Sequence, residues 1–363
     1  MRFVFLAIFV LSTNVFAAPG DLVRYQMIRN HAIQPVQHAR QNMCPAEVNH
    51  PKAFETKSYA VTFVTLDLQG NEVNSSGYLV VPVNNDPHGL VVYQHGTMFS
   101  RKELPSSNPE YREGDGARYC FASLGFVAML PDYLGYGDGT GVHPYLHAES
   151  ESWVARDMMR AVHKVLEDLK VEMNGKIFIA GYSQGGQAAL ALTKFLEEDP
   201  AQEFKVTASA PMSGPYSLVE VVPHMIKNPV PHTAAEAVSV VLGLGRVYPI
   251  YAHLSEVFQA PYDSMIESLF DGQHTSQEVF KALSAPMNQI FQPAFTERII
   301  NDPNAPLMEA LRRNRVDLWA NKTPVNLYHG KADAEVPYLI AEIAYKNMKA
   351  RGGNVNLVNL GDT

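Results

Sequence analysis

Cysteine is nearly absent from this chain of 363 residues, and positive charge is in deficit: two cysteines, and 29 lysines and arginines against 37 aspartates and glutamates. The resulting net charge of -8 leaves no basic face of the kind a nucleic-acid partner requires. Past the N-terminus there is no apolar run approaching the about 20 residues that span a bilayer, which excludes a membrane-embedded body. There is no internal repeat and no low-complexity tract. The histidines His224, His232, His253 and His274 show no metal-ligand spacing, read as surface or packing residues, and no metal or cofactor is expected. With 46% hydrophobic and 18% charged residues, the composition is that of a globular chain with an ample core.

The one long apolar run lies at the start. Met1-Arg2, then Phe3 to Leu11, then Val15-Phe16-Ala17, has the charged, apolar and small-residue parts of a secretory signal peptide, placed at 1–18. The expected protein is exported, secreted or periplasmic. In such a compartment Cys44 and Cys120 either form a single disulfide or remain two buried thiols.

From Asp21 to His50 the sequence is polar with scattered apolar residues and reads as a short helix and loop over the domain. Tyr59–Leu66 and Ser76–Pro82 are β-rich, with a turn at Gly70-Asn71, and form an antiparallel edge. The rhythm then changes to short apolar strands at Gly89–Gln94, Gly125–Pro131, Ile177–Ala180, Phe204–Ala210, Val325–His329 and Val355–Leu360, most separated by helical patterns. This alternation predicts an α/β fold with a mostly parallel sheet of about eight strands. Residues 213–321 are too long for one crossover and read as an inserted helical cap, which divides the core into 19–212 and 322–363.

The most informative stretch is Ile177-Phe-Ile-Ala-Gly-Tyr-Ser-Gln-Gly-Gly186: an apolar strand, a G-x-S-x-G turn, then an Ala/Leu-rich helix. Such a turn presents a serine above the sheet, and Gly181 and Gly185 supply the small neighbours that its backbone demands. Ser183 is the candidate nucleophile, and the Gln184 backbone N–H the first candidate oxyanion donor. A second donor belongs on the loop after Gln94, where His95-Gly96-Thr97 lies, and is assigned to Thr97 N–H. An activated serine also needs an imidazole and an acid to orient it. Asp333, on the loop His329-Gly-Lys-Ala-Asp333, is the candidate acid, with Glu335 in reserve. The Asp132–Gly139 loop is expected to shape the pocket floor, its aspartates bonding within turns.

Tyr93-Gln-His-Gly-Thr97, Pro131-Asp-Tyr-Leu-Gly-Tyr-Gly137 with His143-Pro-Tyr145, Gly181-Tyr-Ser-Gln-Gly185, the long insertion and His329-Gly-x-x-Asp333 resemble the α/β-hydrolase superfamily, and within it most the secretory lipases of the lipase A type. The resemblance implies an α/β-hydrolase fold and cleavage of lipid or other acyl esters through an acyl-enzyme, with transient contact of the cap with a lipid interface. It also implies a histidine after the last strand. Here Val355–Leu360 is followed only by Gly361-Asp362-Thr363, and no histidine follows His329. The expectation is that the base lies beyond Thr363, with His95 and His143 as substitute bases and a non-catalytic acyl-ligand binder as a further alternative. An aminopeptidase or an acyltransferase would use the same triad.

Overall fold

The fold is taken from a computed structural model, which describes residues 18–32, 44, 53–83, 86–110, 113–230 and 232–362. All of the expected signal peptide except Ala18 lies outside the described residues. No helix among those described is long and apolar enough to cross a membrane.

A long antiparallel hairpin starts the sheet: β2 (Thr56–Leu66) and β3 (Glu72–Pro82) pair along their full length, Thr56 opposite Pro82 and Leu66 opposite Glu72. Asp67 builds the turn, its carboxylate accepting from the backbone N–H groups of Gln69 and Asn71. Ahead of the hairpin, β1 (Leu22–His31) adds to the free edge of β2, where the sequence reading placed a short helix and loop. The reason is its position: as the outer edge strand it is exposed over most of its length, so it carries no alternation of apolar and polar residues to announce it.

The parallel part comprises β4 (Leu90–Gln94), β5 (Val127–Pro131), β6 (Ile177–Tyr182), β7 (Ala208–Met212), β8 (Val325–His329) and β9 (Val355–Asn359). The nine strands run in the order β1-β2-β3-β5-β4-β6-β7-β8-β9. β7 begins four residues later than Phe204, because the β-prone stretch before it precedes its ladder with β6. Both faces of the sheet are covered, as a parallel sheet requires. Leu79, Val81, Val127 and Met129 face α1 (Ala148–Asp168) and α2 (Gln184–Glu198), while Tyr78, Val80, Ala128 and Leu130 face Ala117 and Ala122 on the other side.

Between β7 and β8 the chain is helical: α3 (Leu218–Lys227), α4 (Thr233–Gly245), α5 (Tyr262–Leu269), α6 (Ser276–Ala282), α7 (Pro293–Asn301) and α8 (Pro306–Arg313), with further single turns at Leu254–Glu256 and Met287–Ile290. These helices share one apolar cluster that also takes in Phe99, Tyr145 and Leu146 from the loops above the sheet. The segment leaves and returns at one place, Val316 N–H donating to the Tyr216 carbonyl at 3.1 Å. Helix α9 (Tyr338–Ala350) then leads into β9. Cys44 and Cys120 are disulfide-bonded, with Cα atoms 5.6 Å apart.

Candidate active site

The turn between β6 and α2 gathers the site. Ser183 has φ 56° and ψ -121°, a conformation that an L-residue adopts only when its surroundings enforce it. The enforcement is steric and local. A Cβ on Gly181 would fall on the Gly185 carbonyl, and one on Gly185 would fall on the Gln94 carbonyl, both well inside van der Waals contact. Ser183 N–H is anchored on the Met212 carbonyl at 3.0 Å, and its own carbonyl accepts from Gly186 N–H at 2.8 Å. The Gln184 backbone N–H donates to no described residue, as expected of the first residue of a helix.

Ser183 opens onto a cavity of about 680 Å³ that it shares with Gly96, Thr97, Tyr182, Glu113, Glu236 and Glu335. Thr97 is held by its hydroxyl, 2.7 Å from the Tyr145 phenol, and its backbone N–H has no acceptor among the described residues. The neighbouring Gly96 N–H is taken by the Glu113 carboxylate at 3.0 and 3.1 Å.

Asp333 sits on the loop after β8. Its Oδ1 accepts from the backbone N–H groups of Glu335 at 3.1 Å and Val336 at 2.9 Å, and its Oδ2 lies 3.3 Å from His329 Nε2. Burial works to raise its pKa, but these donors outweigh it and hold the carboxyl below the usual range. His329 is buried and its Nε2 donates to the Val336 carbonyl at 2.7 Å, so it braces the loop. Glu335 lines the cavity with Ser183, and burial together with Asp333 raises its pKa.

Neither of the two substitute bases hydrogen-bonds to the serine. His95 is fully buried, with Nδ1 2.8 Å from the Gly96 carbonyl and its ring 4.2 Å from that of Tyr133, and burial pushes its pKa down to about 4. His143 lies between the rings of Tyr133 and Tyr136. Its Nδ1 faces the Leu134 carbonyl at 3.1 Å and its Nε2 the Gln184 side-chain amide at 2.7 Å, and burial takes its pKa down to about 3. Both nitrogens of His143 are therefore occupied. Among the described residues no hydrogen bond joins Ser183 Oγ to any histidine. Of the four insertion histidines, His232 lines the Ser183 cavity, where its ring packs 4.1 Å from Phe280.

The loop after β5 does more than form turns. Asp132 is buried and accepts from the Ser76 and Ser106 hydroxyls at 2.6 and 2.5 Å, while the Tyr136 phenol donates to the Met98 carbonyl at 2.5 Å. Sequence reasoning also passed over Glu151, whose carboxylate accepts from the Gln184 amide at 2.7 Å. The available signal was spacing: 151, 155, 158 and 162 form one buried stripe of α1, and only the first is charged.

The alpha/beta hydrolase family model matches residues 95–361. The chain belongs to that family. No curated protein matches the sequence. Among solved structures, the rice cell wall degrading esterase LipA from Xanthomonas oryzae has a TM-score of 0.86 at 28% identity, covering 95% of this chain and 92% of that one. A protein described as a hydrolase from Legionella pneumophila has a TM-score of 0.87 at 27% identity, covering 94% and 92%. Candida antarctica lipase A, at 16% identity, TM-score 0.68 and coverage of 94% and 76%, shares the fold. The protein is thus an α/β hydrolase whose structure closely matches that of an esterase.

Proposed function

We propose that the protein is a secreted serine hydrolase that cleaves carboxylic esters of lipid or other acyl groups through an acyl-enzyme. The observation that carries this reading is the strained Ser183 turn, with the Gln184 N–H unpaired beside it, opening onto a cavity large enough for an acyl chain. Ser183 Oγ attacks the ester carbonyl, and the N–H groups of Gln184 and Thr97 hold the oxyanion. An imidazole from outside the described residues, oriented by Asp333, takes the serine proton and passes it to the leaving alcohol; water then releases the acid by the reverse route. Glu236, Thr275 and Phe280 reach the cavity from the insertion, which supports a role for 213–321 as a cap that gates the pocket and sets acyl length.

The test is covalent and kinetic. A fluorophosphonate should label Ser183, and Ser183→Ala should abolish hydrolysis of p-nitrophenyl esters; labelling elsewhere, or hydrolysis that survives the substitution, sinks the reading. Loss of activity on His95→Ala or His143→Ala, with folding intact, would identify one of those residues as the base.

A second reading, an aminopeptidase, draws on one observation. Among the described residues the cavity is lined by Glu103, Glu113, Glu236 and Glu335 and by no lysine or arginine. A substrate amine would find complementary charge there. A higher kcat/KM on aminoacyl p-nitroanilides than on p-nitrophenyl esters would favour it, and the reverse order would remove it.

A further inference from the structure

Glu151 takes no part in the chemistry outlined above, yet its side chain is wholly inaccessible. Other buried carboxylates have evident compensation: Asp157 has Arg156, Arg160 and the Thr65 hydroxyl, Asp317 has Arg315 and Asn347, and Asp132 has two serines. Glu151 pairs with no lysine or arginine among the described residues. Burying a carboxylate without a cation is costly, and a leucine would continue the apolar stripe of α1 at this position at lower cost. What the carboxylate does instead is hold Gln184.

The hydrogen bonds around Gln184 have only one consistent direction. The Leu134 carbonyl can only accept, so His143 Nδ1 carries the ring proton and Nε2 presents a bare lone pair. The Gln184 side-chain NH2 must therefore donate to His143 Nε2 and, with its second hydrogen, to Glu151 Oε1, each at 2.7 Å. Both amide hydrogens are spent on fixed, buried acceptors. Gln184 is the first residue of α2 and directly follows the strained Ser183. With its side chain held from two sides, its Cα–Cβ bond cannot swing, and the peptide plane that carries its backbone N–H is held with it.

We infer that Glu151 is a positioning residue: by holding the Gln184 amide against His143, it fixes the direction in which the Gln184 backbone N–H points at the oxyanion formed on Ser183. This rests on the proposed reading of that N–H as an oxyanion donor. A donor aimed in advance stabilises charge that develops in the transition state without reorganising as it forms, so the contribution of Glu151 belongs to kcat and not to substrate binding.

The experiment uses the full chain. Glu151→Leu removes the acceptor, and Gln184→Met removes the amide but keeps the backbone donor. Each is assayed on a short-chain p-nitrophenyl ester and, by calorimetry, for binding of phenylboronic acid, whose tetrahedral adduct on Ser183 sets an oxygen against the same donor. Removing a whole oxyanion donor costs about 10²- to 10³-fold, so misaiming one should lower kcat by about 10- to 100-fold with KM within about 3-fold. Boronate affinity should fall by the same factor as kcat. The double variant should be no worse than the worse single variant, because both cut one tie, and Glu151→Gln, which keeps an acceptor oxygen, should stay within about 3-fold of the parent. Unchanged boronate affinity, a loss carried by KM, or additive losses in the double variant would overturn the inference. If Glu151→Leu does not fold, Gln184→Met and Glu151→Gln carry the comparison, and the boronate arm is read whether or not turnover is measurable. Failure of the underlying reading looks different: Ser183→Ala would then leave both hydrolysis and boronate binding unchanged.

Discussion

Tyr133 donates its phenol to the His95 carbonyl at 2.8 Å, tying the loop after β5 to the loop that carries Thr97. Both Tyr133 and His95 are fully buried. Tyr133→Phe keeps the ring stack and removes only the donor. Leaving a buried acceptor unsatisfied costs about 1–3 kcal/mol, so urea unfolding should show a loss in that range, accompanied by slower ester hydrolysis as the Thr97 segment loosens. Parental stability in the variant would mean that a water replaces the phenol.

Gly185→Ala tests the turn itself. The added methyl would collide with the Gln94 backbone carbonyl, which cannot move without disturbing the β4–β6 ladder. The loss should exceed about 3 kcal/mol or prevent folding, well above the usual range for a surface substitution. Gly352→Ala serves as a control for added side-chain bulk: nothing lies within 4 Å of a Cβ there, although its φ of +86° carries some backbone strain. Soluble yield and thermal midpoint read both.

Stability should carry a pH signature from Glu151. Burial pushes its folded pKa up to about 8, against which the Gln184 and Leu146 donors act. The unfolded carboxyl ionises near its ordinary value of 4.5, so between about 4.5 and 8 the folded state binds the extra proton and stability falls as pH rises. Glu151→Gln removes this dependence. It should therefore gain on the parent by up to about 1.4 kcal/mol per pH unit across that window, measured by urea unfolding at pH 5 and pH 7.5. A constant difference between the two proteins would show that Glu151 ionises normally.

The disulfide closes a long loop, Cys44 and Cys120 being 76 residues apart in sequence. Constraining the unfolded chain over such a loop contributes about 4.5 kcal/mol in the chain-entropy account. The double variant Cys44→Ala/Cys120→Ala should lose about 2–5 kcal/mol in urea unfolding, and the parent should lose a similar amount in reductant while the variant does not respond.

What could be read from the sequence followed from local rules. The Ser183 turn declares itself because strand, glycines and helix are contiguous, and β2 to β6 and β8 do so because strands in the sheet interior carry runs of apolar residues. β1 stayed hidden because pairing with a free edge needs no apolar pattern. The partners of His143 stayed hidden for another reason: Leu134, Gln184 and Glu151 approach it from separate segments, and no spacing rule connects residues 41 positions apart. The apolar residues of the insertion were legible, but the carboxylates that line its side of the cavity, such as Glu236, become neighbours of Ser183 only through tertiary packing.

The hydrogen bond between Val316 and Tyr216 bears on how such a protein can diversify. Because the two ends of the helical segment meet, the pairing of β7 with β8 is indifferent to how much chain is looped out between them. Lengthening, shortening or exchanging that segment changes what reaches the mouth of the cavity, while the register of the sheet and the turn at Ser183 keep their geometry. Descendants of one ancestor could thus part in substrate preference by swapping a module, with the reacting groups inherited unaltered.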